Sequence, residues 1–349
     1  MDKKLLQWHI QDVTDRYRAA GYFPSACVRV FDHRETLAVC CAGDARPESL
    51  FDVASLTKIA TATQILLLAD AGRLSLSDTL ASCFPEIAAD DYLRERLAGV
   101  TLFRLLTHTS GVAAWYPFYS RRGEEFFAVL RYALQHTAPT EGVVYSDLNF
   151  MLLGKLLERV HGMSLPDCLR HHLVEPYGLG KMLYHPSPEE DIIPSDYGNR
   201  IEMDMCRERG ISFDGFRPLG TPVIGTVEDG NSHYYFGDAA GHAGIFASAE
   251  AYERLCRLYM NTSSRLFREA QKEQPASPGR GLGLQIDCAY PHGCGHTGFT
   301  GTSIYFSSEY HIGAVVFTNM LYRTDPNGLS VRDFRRAVHE TAFSLGATS

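Results

Sequence analysis

The 349-residue sequence lacks any stretch that approaches the about 20 consecutive apolar residues needed to cross a bilayer. Its first residues, MDKKLLQWHIQDVTDRY, also lack the apolar block of a secretory signal peptide. These absences predict a protein with no membrane partner and a cytoplasmic location. The alternative is an exported protein whose leader has been removed.

Basic runs, cysteine pairs and nucleotide motifs are missing as well. The formal net charge is -8, and no run of Lys and Arg could follow a phosphate backbone, which argues against a nucleic-acid partner. The nine cysteines form no C-x-x-C pair, and their odd number argues against a disulfide framework. There is no G-x-S-x-G elbow and no P-loop, and the glycines at 279–283 lack the context of a dinucleotide loop. We therefore predict no organic cofactor.

The apolar patterns that are present predict both helices and strands. With 45% hydrophobic residues the chain can bury a full core, in one large or two interlocked domains. Leu6, Ile10, Val13 and Tyr17 predict one face of a helix that closes at Gly21. The elements predicted after it are strands at 26–31 and 36–42, a helix at 55–72, helices with loops over 74–183, an irregular stretch at 184–225, strands at 281–286, 302–306 and 312–317, and a C-terminal helix opened by Ser330 and Asp333.

This order of elements predicts an α/β (α+β) fold in which both termini build one antiparallel sheet flanked by helices. Residues 1–72 and 225–349 are predicted to form the sheet domain, and residues 73–224 an inserted, mostly helical domain. A cleft between the two is the expected place for a substrate.

Ser55 and Lys58 form the one S-x-x-K motif of the chain, at the predicted start of a strongly apolar helix. Three residues apart on a helix, the hydroxyl and the amine share a face and can hydrogen-bond. A serine amide at a helix start is unpaired and can stabilise an oxyanion. Burial and the helix dipole should lower the pKa of Lys58, so that a neutral amine acts as base toward Ser55. The alternative is coincidence, since about 0.4 such tetrapeptides are expected by chance.

Two further segments carry polar groups suited to acyl transfer. Tyr145 lies in a polar loop before a helical run, and a nearby cation could make it titrate low enough to share a proton with a nucleophile. The alternative is that Ser146 or Asp147 only caps the next helix. The glycine-spaced residues 295–301 predict a strand whose amides could complete an oxyanion hole, or else a bulged edge strand.

Taken in chain order, S-x-x-K, Tyr145-Ser146-Asp147 and His296-Thr297-Gly298 resemble the motifs of the serine β-lactamase and penicillin-binding-protein superfamily. The chain looks most similar to the class C β-lactamase branch, with its family VIII carboxylesterases, D-aminopeptidases and D-alanyl-D-alanine carboxypeptidases. The resemblance runs from about Phe23 to Arg335. Its other matching segments are Phe51-Asp52-Val53-Ala54, the residues at 105–111, and the residues at 241–246.

The resemblance implies a β-lactamase-like fold and a serine hydrolase that acts through an acyl-enzyme on small esters, amides or short peptides. It makes Ser55 the nucleophile, Lys58 and Tyr145 the proton-transfer pair, and the amides of Ser55 and Phe299 the oxyanion hole. A D-amino-acid peptidase or a transacylase with the same site are alternatives. A catalytically weak penicillin-binding or sensor module is an alternative of another class.

Two departures from the resembled pattern bear on the substrate. His296 stands where β-lactamases usually carry lysine, and Asp147 stands where many carry asparagine. Because histidine near pH 7 is mostly neutral and Asp147 adds negative charge, we expect neutral or cationic esters and amides to be preferred over penicillins. With Thr297, Gly298 and Phe299, these residues form the predicted substrate-binding set.

Other residues of the sequence allow different interpretations. Cys288, His292, Cys294 and His296 could offer metal ligands, but ligands at every second strand position seldom close a tetrahedron, so no metal is predicted. The aromatic segment 112–119 is expected either to wall a pocket or to pack a loop. His108 and His242 are expected to be hydrogen-bonded structural residues.

Overall fold

The computed structural model describes residues 2–286, 292–323 and 328–346. Its strands are β1 (Ala26–Asp32), β2 (Thr36–Ala42), β3 (Phe51–Asp52), β4 (Met182–Leu183), β5 (Phe246–Ala247), β6 (Cys294–Thr297), β7 (Ser303–Ser307) and β8 (Ile312–Thr318). Its helices are α1 (Lys3–Ala19), α2 (Thr57–Asp70), α3 (Leu80–Cys83), α4 (Pro85–Ala89), α5 (Asp91–Arg96), α6 (Leu102–Leu106), α7 (Phe126–Gln135), α8 (Asp147–His161), α9 (Leu165–Leu169), α10 (Arg200–Glu208), α11 (Ala249–Met260), α12 (Arg265–Ala270) and α13 (Val331–Gly346).

The central sheet is antiparallel, with the strand order β2-β1-β8-β7-β6, and so joins the two ends of the chain. Its strands are buried on both faces, because successive side chains alternate between two cores. Helices α1 and α13 cover one face, and α11 covers the other. The predicted antiparallel sheet built from both termini is confirmed, and it places edge strand β6 against the residues that precede α2.

The N-terminal elements match their predictions closely. Helix α1 ends at Ala19, and Gly21 follows in the left-handed region with φ of 82°. The hairpin predicted at 26–31 and 36–42 forms as β1 and β2. The helix predicted at 55–72 forms as a single tight turn at Ala54–Leu56 that runs into α2. Helix α2 is buried on nearly every side because α8, α9 and α12 pack against it and its apolar residues belong to the same core cluster as one face of the sheet.

Two predictions of local structure are wrong. The stretch at 184–225 contains α10, whose buried Glu202 and Cys206 lie four residues apart on one face amid otherwise turn-rich sequence. The segment at 281–286 is a turn, in which the Gly281 amide bonds to the Leu284 carbonyl. Gly283 has φ of 74°, and an added Cβ there would lie 2.3 Å from Ala62 Cβ, so a regular strand cannot form.

The C-terminal elements follow the prediction in outline. Strands β7 and β8 lie within one residue of the expected ranges, and α13 begins at Val331. Ser330 Oγ accepts a hydrogen bond from the Arg332 amide at 3.2 Å, so the expected pairing of Ser330 with Asp333 gives way to a shorter local bond. In the described ranges no helix combines the length and apolarity needed to span a bilayer.

Candidate active site

Ser55 lies in the tight turn at Ala54–Leu56, at the entrance of α2. Ala54 has φ of 48°, an unusual conformation for a residue with a Cβ, and its amide donates to Asp52 Oδ1 at 2.8 Å. In the described part of the chain the Ser55 amide has no hydrogen-bond partner. The turn therefore presents both the hydroxyl and the amide of Ser55 to the adjoining cavity.

Lys58 is completely buried among polar partners. Its Nζ lies 2.9 Å from Ser55 Oγ, 3.0 Å from the His242 carbonyl oxygen and 2.8 Å from Asp147 Oδ1. With the Tyr145 hydroxyl, these partners are enough to occupy all three N–H donors of a charged ammonium group. We call Ser55, Lys58, Asp147, Tyr145 and the His242 carbonyl the Lys58 network.

The expected lowering of the Lys58 pKa is wrong. Burial alone does lower it, but the negative charge of Asp147 and the contact with Tyr145 outweigh burial and raise the pKa above its ordinary value. Lys58 is therefore a cation at rest. The sequence analysis assigned Asp147 to the substrate-binding set. In the structure its carboxylate is the counter-ion of Lys58.

Tyr145 lies next to both residues of the S-x-x-K motif. Its hydroxyl hydrogen-bonds with Lys58 and Ser55, and its ring centroid is 4.9 Å from Lys58 Nζ. Burial raises the pKa of Tyr145 by more than the Lys58 charge lowers it, so the expected low-titrating tyrosine is also wrong. The phenol keeps its proton. Ser146 Oγ caps α8 by accepting from the Asn149 amide, so the capping interpretation holds beside the chemical one.

Two supports hold this network in place. His108 Nδ1 accepts the Ser146 amide at 3.0 Å, and burial lowers the pKa of His108, which keeps that nitrogen an acceptor. Gly154 of α8 packs on Gly241, where an added Cβ on Gly154 would lie 2.8 Å from the Gly241 nitrogen. This close approach positions the His242 carbonyl against Lys58.

The turn at 298–302 is tied to the Ser55 turn by two threonines. Thr300 Oγ1 donates to the Asp52 carbonyl at 2.7 Å, and Thr302 Oγ1 donates to the Val53 carbonyl at 3.0 Å. The Phe299 amide, in the middle of this turn, has no hydrogen-bond partner among residues 2–286, 292–323 and 328–346. The two amides expected to form an oxyanion hole thus lie on turns that are hydrogen-bonded to each other.

Arg335 is a supporting residue that the sequence did not reveal. Its guanidinium donates to the Gly298 carbonyl at 2.9 Å and to the Thr302 carbonyl at 2.7 Å, across the mouth of the turn. The residue is buried at the start of α13, far along the chain from the motifs. No local pattern marks such a role, because it depends on where α13 docks.

His296 lies buried on β6, with Nδ1 2.8 Å from the Thr297 carbonyl oxygen. Burial, helped by the positive charges of Arg280 and Lys58, lowers the pKa of His296 to about 3. The ring is therefore neutral near pH 7, as expected when histidine was compared with lysine at this position.

These residues line one cavity of about 520 Å³. The predicted residues that reach it are Ser55, Tyr145, Asp147, His296, Thr297, Gly298 and Phe299. Those that sequence reasoning did not assign to the site include Glu202, Met205, Glu228, Asp229, Arg280 and Met320. Within the aromatic segment 112–119, Trp115 lines the cavity, while Phe118 and Tyr119 are buried in the core. One part of the segment therefore walls the pocket and another part packs the loop.

Arg280 adds a positive charge that the sequence analysis missed. Its guanidinium lies 5.4 Å from the centroid of the Tyr145 ring, at the wall of the cavity. The surrounding glycines had been considered only as a nucleotide loop. Their actual role is to form the turn that delivers Arg280 to the site.

The candidate metal ligands are dispersed. Cys288 lies outside the described residues, and His292 stacks on Phe343 at a centroid distance of 4.9 Å. Burial raises the pKa of Cys294. Among the described residues no group of three His, Cys, Asp or Glu side chains is arranged to hold a metal ion.

Comparison with known proteins agrees with this fold. The sequence profile of the family Beta-lactamase matches residues 10–335. A putative D-alanyl-D-alanine carboxypeptidase of Escherichia coli is 26% identical over 313 residues, which cover 78% of this chain and 69% of that protein. Two solved structures superpose on nearly the whole chain. The D-amino acid amidase from Ochrobactrum anthropi, solved with D-phenylalanine, has a TM-score of 0.74 at 17% identity, and 97% of this chain and 99% of that one are covered. EstCE1, a hydrolase with promiscuous acyltransferase activity, has a TM-score of 0.72 at 18% identity, with 98% and 99% covered. The chain belongs to the Beta-lactamase family of serine hydrolases.

Proposed function

We propose that this protein hydrolyses small esters and amides through an acyl-enzyme on Ser55. The observation that carries the proposal is the contact of 2.9 Å between Ser55 Oγ and the fully buried Lys58 Nζ, beside two unpaired backbone amides. A buried cation that donates to a hydroxyl stabilises the alkoxide that forms as its proton leaves.

The proposed proton path starts from a charged Lys58. As Ser55 Oγ bonds to the acyl carbon, Lys58 Nζ gives a proton to Asp147 Oδ1, 2.8 Å away, and takes up the Ser55 proton in its place. Lys58 stays charged and the carboxylate becomes neutral. Tyr145 then gives its phenolic proton to the leaving group and recovers one from Asp147 through Lys58. Water attacks the acyl-enzyme by the reverse route.

The amides of Ser55 and Phe299 are proposed to hold the oxyanion of each tetrahedral intermediate. Unpaired amides fixed on cross-linked turns need no reorganisation as charge develops, and one such donor is commonly worth about 10²- to 10³-fold in kcat. Gly298 is required beside them, because an added Cβ would lie 2.1 Å from Thr302 Oγ1.

The charges around the cavity change the reason for the proposed substrate preference. Asp147 is matched by Lys58, so it adds little net charge to the cavity. Neutral His296 still lacks the pull of a lysine on a carboxylate, and three other acidic side chains line the cavity. The positive charge of Arg280 has the opposite effect, because it would attract a substrate carboxylate. We expect kcat/KM for neutral or cationic esters to exceed that for penicillins, and the reverse order would contradict this preference.

Turnover of a p-nitrophenyl ester and p-nitroanilide panel tests the proposal. Wild type should hydrolyse at least one member, and Ser55→Ala should lose that activity by a factor of about 10³ or more. Ser344→Ala, which removes an exposed hydroxyl on α13, is the matched control and should keep it. Equal rates for wild type and Ser55→Ala would exclude Ser55 as the nucleophile. Faster release on addition of an alcohol would favour the transacylase alternative.

A further inference from the structure

One wall of the cavity carries more carboxyl groups than the Lys58 network uses. Glu202 of α10, Glu228 and Asp229 all line the cavity, and we call these three residues the acidic wall. Glu202 is 6% exposed and Glu228 is 4% exposed. Carboxylates are almost never buried to this degree unless they are paired.

The acidic wall has few partners inside the protein. Glu202 accepts the Gly230 amide, and its Oε2 has no hydrogen-bond partner in the described ranges. The Glu228 carboxylate makes no ion pair or hydrogen bond with a described residue. Burial, and after it the charge of Asp229, raises the pKa of Glu202 well above its usual range. A positive group entering the cavity would relieve this unfavourable arrangement.

Asp229 connects the acidic wall to the Lys58 network. Its Oδ1 accepts from His242 Nε2 at 2.9 Å and from the Ser232 amide at 2.7 Å. Among the described residues none contacts its Oδ2, and the side chain, which lines the cavity, remains 21% exposed. The carbonyl of the same His242 holds Lys58 at 3.0 Å. A ligand on Asp229 would therefore lie near the acyl centre.

The arrangement does not suit a metal ion. No described cluster of three His, Cys, Asp or Glu side chains is placed to coordinate one. An ammonium group differs from a metal ion because it can hydrogen-bond with one or two carboxylates at a time and needs no fixed coordination shell.

We propose that the acidic wall binds a protonated primary amine on the acyl part of the substrate, close to the scissile carbonyl. This makes amino-acid amides and esters with a free amino group the preferred substrate class. The inference rests on the proposed function, since it concerns the same cavity and the same acyl-enzyme. It names the wall residues Glu202 and Asp229 as determinants of specificity.

Hydrolysis of four matched anilides tests this inference near neutral pH. The anilides are phenylalanine p-nitroanilide, in both enantiomers, its N-acetyl form, and the p-nitroanilide of 3-phenylpropanoic acid, which lacks the amino group. We expect kcat/KM for one free-amine enantiomer to exceed kcat/KM for the N-acetyl and the amine-free anilides by about tenfold or more, as for a charge-assisted hydrogen bond. Glu202→Gln and Asp229→Asn should each lower that ratio about tenfold.

Glu208→Gln is the matched control, because Glu208 is an exposed residue on the same helix and outside the cavity. It should leave the ratio unchanged. Thermal melting of each variant checks that it folds. A ratio near one, or a ratio that neither wall variant lowers, would overturn the inference. Ser55-dependent turnover of the amine-free anilide would still support the proposed function in that case.

Calorimetric binding decides the inference if no anilide is turned over. Ser55→Ala protein should bind phenylalanine amide at least about tenfold more tightly than N-acetylphenylalanine amide, and adding Glu202→Gln should remove the difference. Equal affinities would overturn the ammonium site. Absence of Ser55-dependent turnover together with selective binding would overturn the proposed hydrolysis and keep the site.

Discussion

The Lys58 network and the acidic wall lie in the same cavity but are built differently. In the network every donor of Lys58 has a partner, whereas in the wall Glu202 and Glu228 are buried with carboxylate oxygens unused by the described residues. A saturated network fixes geometry for one reaction, and an unsaturated wall leaves capacity for a ligand. The comparison predicts that changes in the network alter the rate for all substrates, and that changes in the wall alter the choice among them.

Asp147→Asn should have the largest effect, because it removes the proposed proton acceptor and the counter-ion of Lys58. The proton path through Asp147 predicts a fall in kcat of about 10²- to 10⁴-fold for every substrate. A mechanism based on a neutral Lys58 predicts the reverse, since loss of Asp147 would let burial lower the Lys58 pKa. Steady-state kinetics distinguish the two, with Asp204→Asn, at an exposed site on α10, as control.

Gly154→Ala should disturb the support of the network without touching its polar groups. The added Cβ would press on the backbone of Gly241 and move the His242 carbonyl away from Lys58. We expect a loss of about 1–3 kcal/mol in the free energy of unfolding and a lower kcat. Gly99→Ala is the control, because its Cβ would meet only the Arg104 guanidinium at 3.4 Å. Equal urea midpoints for both variants would show that the close approach is unimportant.

His296→Gln should change how stability depends on pH. The pKa of His296 is about 3 in the folded protein, against an ordinary value near 6.5, so below about pH 6.5 the unfolded chain binds a proton that the folded chain does not. Folded stability is therefore complete above about pH 6.5 and falls by up to about 1.4 kcal/mol per pH unit as the pH decreases toward 3.

Urea unfolding of wild type and His296→Gln at several pH values measures this term. The variant should show a shallower loss of stability in acid. Part of the slope should remain, because burial also lowers the pKa of His339 to about 3. Parallel curves for the two proteins would mean that His296 is protonated in the folded state.

Met205→Ala should have the smallest effect, since it only enlarges an apolar part of the cavity beside α10. We expect KM for esters with long acyl chains to rise about three- to tenfold relative to KM for an acetyl ester, because the lost apolar contact is made only by the longer chain. A uniform loss of kcat across the ester series would contradict a contact between Met205 and the acyl chain.

The fold and the network were predictable to the extent that they depend on neighbours in sequence. The S-x-x-K spacing places Ser55 and Lys58 on one face, and strand alternation with a short turn defines the β1–β2 hairpin. The direction of the Lys58 pKa shift was not predictable, because it depends on Asp147, which lies 89 positions away and meets Lys58 only through the packing of α2 and α8. Arg335 and the acidic wall are hidden for the same reason. The division of the chain at residues 72 and 225 stays a prediction.

The most direct test of the central claim is the intact mass of the protein after incubation with a fluorophosphonate probe. If Ser55 is the nucleophile, we expect a single adduct on wild type, located on Ser55 by peptide mapping, and no adduct on Ser55→Ala. Lys58→Met should label far more slowly, because the alkoxide loses its stabilising cation. Equal labelling of wild type and Ser55→Ala would contradict the assignment of Ser55 as the nucleophile.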